Sequence, residues 1–189
     1  MMGHDLFRFK TDDAILLAKG GSGEPAMSDT KTLYEADFFA WAKQQAEALR
    51  VAARAGSNRQ LDWENLAEEI EDLARSHTRG LRAHITRIVQ HLAKLEHSPA
   101  VDPRKNWRRS VRLARMQIEA LLEDNPSLRR EVNRVVQRAI KDGIELAILD
   151  LEEYAEIDAT DFARIRRSSY TSEQILGDWF PPEPPRGAE

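Results

Sequence analysis

The chain has 189 residues, 41% of them hydrophobic and 32% charged, with a formal net charge of −4. That length and balance suit one folded domain with appendages and exclude a disordered or membrane-embedded chain. The absence of cysteine excludes disulfides, thiolate nucleophiles and cysteine-based zinc sites.

Near the start, the apolar run Ala14 to Ala18 is too short for a signal-peptide core and follows Asp12 and Asp13. No run approaches the ~20 apolar residues of a membrane span, so the expected location is cytoplasmic and no membrane partner is expected. Residues 1–32 end in a Gly, Ser and Pro cluster and read as a flexible arm and linker. Met27 offers a second starting methionine just upstream of the domain, which would make the first 26 residues an accessory arm or an extension. The domain is expected over residues 33–182, with a proline-rich tail at 183–189.

From Leu33 the apolar spacing is helical throughout, with no alternating strand pattern. Thr32 and Glu35 have capping-box spacing for a first helix running to about Ala55, where Gly56-Ser57-Asn58 ends it. Asp62 caps a second helix that runs to His97, with Leu61 and Leu66 as a hydrophobic staple. Its stripe is Leu66, Ile70, Leu73, Leu81, Ile85, Ile88, Leu92 and Leu95. Asp102-Pro103 starts a third helix with Trp107, Val111, Ala114, Ile118 and Leu121 facing inward. Asn125-Pro126 stops it and opens a fourth, continuing to about Tyr154, whose inward residues are Leu128, Val132, Val135, Val136, Ala139 and Ile140. Gly143 inside that helix costs about 1 kcal/mol relative to alanine and points to a close helix contact. Two shorter helices follow, the second opened by a Thr171/Gln174 capping box. Short links between long amphipathic helices give an all-α, up-and-down bundle of four main helices.

Several stretches are familiar: YEADFFAWAKQQAEALR, LDWENLAEEIEDLARS, HLAKL, the segment from Trp107 to Leu128 ending LLEDNPSL, and the closing YTSEQILGDWFP. Together they resemble the bacterial family known as domain of unknown function 29 over residues 33–182. The resemblance implies an all-helical fold and supplies no catalytic residue, since the family has no established activity. Residues 152–167 depart from the family's usual pattern before Tyr170-Thr171.

Six carboxylates stand within the eleven residues from Asp62 to Asp72. At about 100° per residue, Glu64, Glu68, Glu71 and Asp72 fall away from the apolar stripe, and only Glu69 lies on its flank. This is the pattern of a solvated helix face, with Asp62 and Glu64 suited to the positive end of the helix dipole. His77, His84 and His91 recur at intervals of seven on or beside the stripe. Neighbours in that series are ~10.5 Å apart along the axis and cannot share one metal ion. Glu-x-x-His pairs and the His-Glu-x-x-His motif are absent, leaving His91 and Glu69 as the candidate metal residues. No serine has an evident base and no Gly-rich phosphate loop precedes a helix, so neither a catalytic group nor a cofactor is implied.

Charge is unevenly distributed: residues 104–141 hold eleven Lys or Arg against four acids, a net of +7, leaving −11 on the rest. Arg108, Arg109, Arg112 and Arg115 fan out beside the stripe of the third helix and are candidates to meet nucleic acid or a protein partner. Trp179 and Phe180, before the proline tail, either fold back onto the bundle or bind a partner. The expected function is protein interaction or regulation, through a homo-oligomer or another protein. Nucleic-acid binding on the arginine face is the alternative, and a metal-dependent enzyme at His91 and Glu69 the third reading.

Overall fold

The computed structural model describes residues 27–56, 61–153 and 159–183. Those residues form helices and no strand. In chain order they are α1 (Met27–Ala36), α2 (Phe38–Arg54), α3 (Trp63–His97), α4 (Arg104–Asp124), a 3-10 segment (Pro126–Glu131), α5 (Val132–Glu153), α6 (Ala159–Arg166) and α7 (Ser172–Leu176). Residues 1–26, Tyr154 and the tail beyond Glu183, for which an arm, a helix end and an extended segment were expected, lie outside the described residues.

α3 is the hub, and α2, α4 and α5 each pack along it. Phe38 meets His77 and Arg50 meets Glu71, so α2 runs antiparallel to the N-terminal half of α3. Trp107 lies beneath Lys94, while Asp124 reaches the level of His77, so α4 is antiparallel to the C-terminal part. Gly143 touches Thr86 and Val89, and Asp150 pairs with Lys94, so α5 runs parallel to α3. The core, centred on Leu81, Ile85, Ile88, Val89 and Leu92, lies where α3 is flanked by α4 and α5.

The boundaries follow from capping chemistry, and several differ from the sequence expectation. The predicted first helix is two: α1 begins at Met27, inside the expected linker, and α2 starts after Asp37. Asp37 is the cap, accepting a 2.8 Å bond from the Ala40 amide, whereas Thr32 and Glu35 lie within α1. Gly56 ends α2 with φ +69°, a left-handed conformation that glycine adopts without a Cβ penalty. Asp62 caps α3 as expected, through the Asn65 amide. No side chain caps α4; it is preceded by Pro103, and Asp102 makes no capping bond. Asn125-Pro126 opens a 3-10 segment, and the α-helix starts six residues later at Val132.

The α3 stripe is correct in period but only partly covered. Leu81, Ile85, Ile88, Leu92 and Leu95 are buried, whereas Leu66 is 41% and Leu73 48% exposed. The reason is length: α3 spans about 52 Å and α4 only about 32 Å at 1.5 Å per residue. α4 therefore stops near His77; beyond it α3 meets the start of α5 only near Ala74 and otherwise packs on α2, through buried Ala67 and Ala74 against a helix whose own buried positions include Ala42 and Ala46. At Gly143 an added Cβ would lie 2.7 Å from both the Thr86 carbonyl oxygen and the Val89 Cβ, which explains the glycine.

Candidate functional site

Two polar junctions organise the motifs. Asp37 is buried; besides capping α2 it accepts from the Ser127 hydroxyl at 2.9 Å and the Ser127 amide at 2.6 Å. Asn125 reciprocates, its Oδ1 accepting from the Phe39 amide at 3.2 Å and its Nδ2 donating to the Leu121 carbonyl at 3.0 Å. Each of these side chains thus satisfies helix-end groups on the other's segment, locking the start of α2 to the α4–α5 turn.

The second junction lies between α3, α4 and α5. Lys94 is buried, donates to Asp150 at 2.7 Å and stands 4.8 Å from the centre of the Trp107 ring. Gln90 donates to the same Asp150 oxygen at 2.9 Å. His91 is half-buried beside this pair, and its Nδ1 has no hydrogen-bond partner among the described residues. Burial, reinforced by Lys94 and only partly opposed by Asp150, pushes its pKa down to about 4, so the ring is neutral at physiological pH. Sequence reasoning missed this buried ion pair. Its signal was a lone cation inside the apolar run Leu92 to Leu95.

Glu69 is exposed, and α3 is unbroken through Gly80, so the 22 residues between Glu69 and His91 hold them about 33 Å apart. Among the described residues no three His, Asp or Glu side chains converge as metal ligands would. Of the other histidines, His77 packs against the Phe38 ring, and His84 lines a groove between α3 and α4. Most of the acidic cluster is solvated; Glu71 instead pairs with Arg50 and Arg75.

The arginine face of α4 meets the chain's own C-terminal segment. Arg115 donates to the carbonyls of Gln174, Ile175 and Trp179 at 2.8 to 2.9 Å, satisfying the end of α7 and the turn after it. Burial lowers its pKa to about 10, with Asp178 opposing, which leaves it cationic at neutral pH. The Phe180 ring lies beneath Arg108, Arg112 and Arg115, with guanidinium carbons 4.9 to 5.6 Å from its centre. Arg108 also pairs with Glu183, and buried Arg104 donates to the Leu95 carbonyl at the end of α3. Trp179 and Phe180 are partly buried against the core, so this segment straps onto α4; Arg109 stays exposed. Upstream of the strap, the Tyr170 hydroxyl donates to Glu96 at 2.6 Å, and burial together with that carboxylate holds the phenol in its neutral form.

No curated protein matches the chain. Among solved structures it is similar to an α-helical protein of unknown function from Rhodospirillum rubrum, at 26% identity and a TM-score of 0.59, over 77% of this chain and 89% of that one. The segments that build both junctions and the strap fall within residues 33–180, which match the family model described as Domain of unknown function DUF29; the chain belongs to that family.

Proposed function

We propose that this chain is a bacterial cytoplasmic protein that acts through protein contacts, and that a second copy of it seats on the uncovered run of the α3 stripe. The observation that carries this reading is the overrun of α3 past α4. Leu66 and Leu73 stand in line with the covered part of the stripe and with half-buried Ile70, yet among the described residues no helix covers them.

Charge complementarity selects the occupant. Of the exposed acids of the cluster, Glu69 lies on the flank of this run. The outer side of α4 carries Leu113 and Met116, 47% and 63% exposed, beside Arg109 and Arg112. An isologous pair would lay the acidic leucine stripe of each copy on the basic one of the other, covering both patches by one symmetry operation. The alternative, nucleic acid on the arginine face, has less support because Arg108, Arg112 and Arg115 already hold the C-terminal strap.

Light scattering coupled to size-exclusion chromatography tests the proposal. The wild-type chain is expected to run as a dimer that weakens as salt rises. The Leu66→Lys, Leu73→Lys double variant should run as a monomer with unchanged helicity, since both side chains are exposed. A monomeric wild type, or a dimer indifferent to these substitutions, would overturn it.

A further inference from the structure

A separate feature lies on another face of α3. Where the starts of α2 and α5 meet over α3, they leave an open cleft of about 460 Å³. Its walls include Phe39 from α2, Ala74 from α3 and Val135 from α5, all buried in the core. Its rim holds Lys43, Arg75, Arg79, Arg82, Arg134 and Arg138, against only Glu71 and Glu131. Four positive charges in excess thus gather in one cleft of a molecule whose net charge is −4.

The two carboxylates are already engaged. Glu71 is bound to Arg50 and Arg75, and Glu131 to Arg134 at 2.6 Å and to Lys43 at 3.5 Å. Those contacts hold both acids below the usual carboxylate range, so they stay ionised and committed to their partners. Arg79, Arg82 and Arg138 are left with no carboxylate or other hydrogen-bond partner among the described residues, and Arg82 is half-buried.

The spacing adds a repulsion that a ligand would relieve. Arg75, Arg79 and Arg82 stand at i, i+4 and i+7 on α3, and Arg134 and Arg138 at i and i+4 on α5. Like charges at these spacings on a helix repel. A bound anion would turn the repulsion into attraction, and guanidinium groups suit phosphate oxygens because they donate in bidentate pairs. The volume falls in the range of small-molecule sites, and the apolar wall of Phe39, Ala74 and Val135 offers contact to a non-ionic moiety.

We propose that this cleft binds a small phosphorylated organic anion of nucleotide size, with Arg79, Arg82 and Arg138 as the groups that meet its phosphates and the Phe39 side as the wall for its organic part. The cleft and the apolar stripe occupy different sides of α3, so this proposal stands or falls independently of self-association.

Isothermal titration calorimetry of the full chain, with ATP and inorganic pyrophosphate as separate probes, tests it. ATP should bind at one site per chain, more tightly than pyrophosphate, and weaken with salt. Arg82→Gln and Arg79→Gln should each weaken ATP roughly tenfold, the scale of one lost charge-assisted contact, without lowering Tm. Arg87→Gln, on α3 but outside the cleft, should leave affinity unchanged. Three outcomes would overturn the proposal: no ATP binding, equal losses in the Arg87→Gln control, or affinity for pyrophosphate matching that for ATP. Tighter binding of a single-stranded oligonucleotide than of ATP would also overturn it, by making the site a nucleic-acid contact.

Discussion

Asp37 accepts hydrogen bonds from three donors, the Ala40 amide and two on Ser127, which lies ninety positions away in sequence. It is buried, so its replacement by alanine leaves the Ser127 amide and hydroxyl and the Ala40 amide unmatched in a poorly solvated place. Loss of a helix cap costs about 1 kcal/mol, and hydrogen bonds to a charged group about 1.5 to 3 each, with strong overlap between them. Asp37→Ala is therefore expected to lower stability by about 3 kcal/mol in urea denaturation. Asp37→Asn, which keeps one acceptor oxygen, should lose less. Equal stability of the alanine variant and the wild type would mean that the junction contributes nothing to folding. Lys94 follows the same logic with higher stakes, because its carboxylate partner, its amide neighbour Gln90 and the Trp107 ring were brought together at the cost of desolvating an ammonium group.

Among the elements, the α3–α5 contact depends on the missing side chain at Gly143. In an open helix, glycine to alanine would stabilise by about 1 kcal/mol. Here the new methyl would meet the Thr86 carbonyl and the Val89 side chain at 2.7 Å, and part of that contact is backbone that cannot rotate away. Gly143→Ala should thus destabilise by about 2 kcal/mol or more, the scale of overpacking, whereas alanine at Gly80, where nothing lies within 4 Å, should stabilise. Thermal melts of the two variants moving in the same direction would contradict this. The need for close approach was legible in the sequence, as were the existence, order and buried faces of the four long helices, because apolar periodicity depends only on each helix having one dry side. The break at Asp37 was not legible, since no glycine or proline marks it and two of the three bonds to its side chain come from Ser127, far along the chain. Exposure at Leu66 and Leu73 was hidden for a similar reason: period reports which face is apolar, and only the relative lengths and offsets of neighbours decide how far it is covered. The arginine fan was visible as charge, but its strap was not, because Arg115 is satisfied by backbone carbonyls that sequence does not mark.

For the whole molecule, the half-buried histidines govern the first response to acid. His84, His91 and His97 all have pKa values depressed chiefly by burial, His91 to about 4. In the unfolded chain they would bind protons near the ordinary value of about 6.5. Between those limits the unfolded state holds more protons, so stability must fall as pH drops from about 6.5 towards 4. Glu71, Glu131 and Glu145 act in a lower window, because their arginine partners depress their pKa values and their contribution is lost only as pH falls through those lowered values. Tm measured across pH should decline in two stages, and His91→Gln should flatten the first while leaving the second. An unchanged first stage would show that His91 does not titrate as its burial dictates.

The hub arrangement also bears on how the sequence can change. α4 and α5 scarcely touch each other directly; both read their position from the side chains of α3. A substitution on α4 that shifts Ile85 or Ile88 alters the surface offered to α5, and residues that share a core couple energetically even without meeting. Drift in the two outer helices is thereby constrained to be concerted, with the C-terminal half of α3 as the medium of their epistasis. Its first two turns, which lie beyond the reach of both, are freer to vary alone.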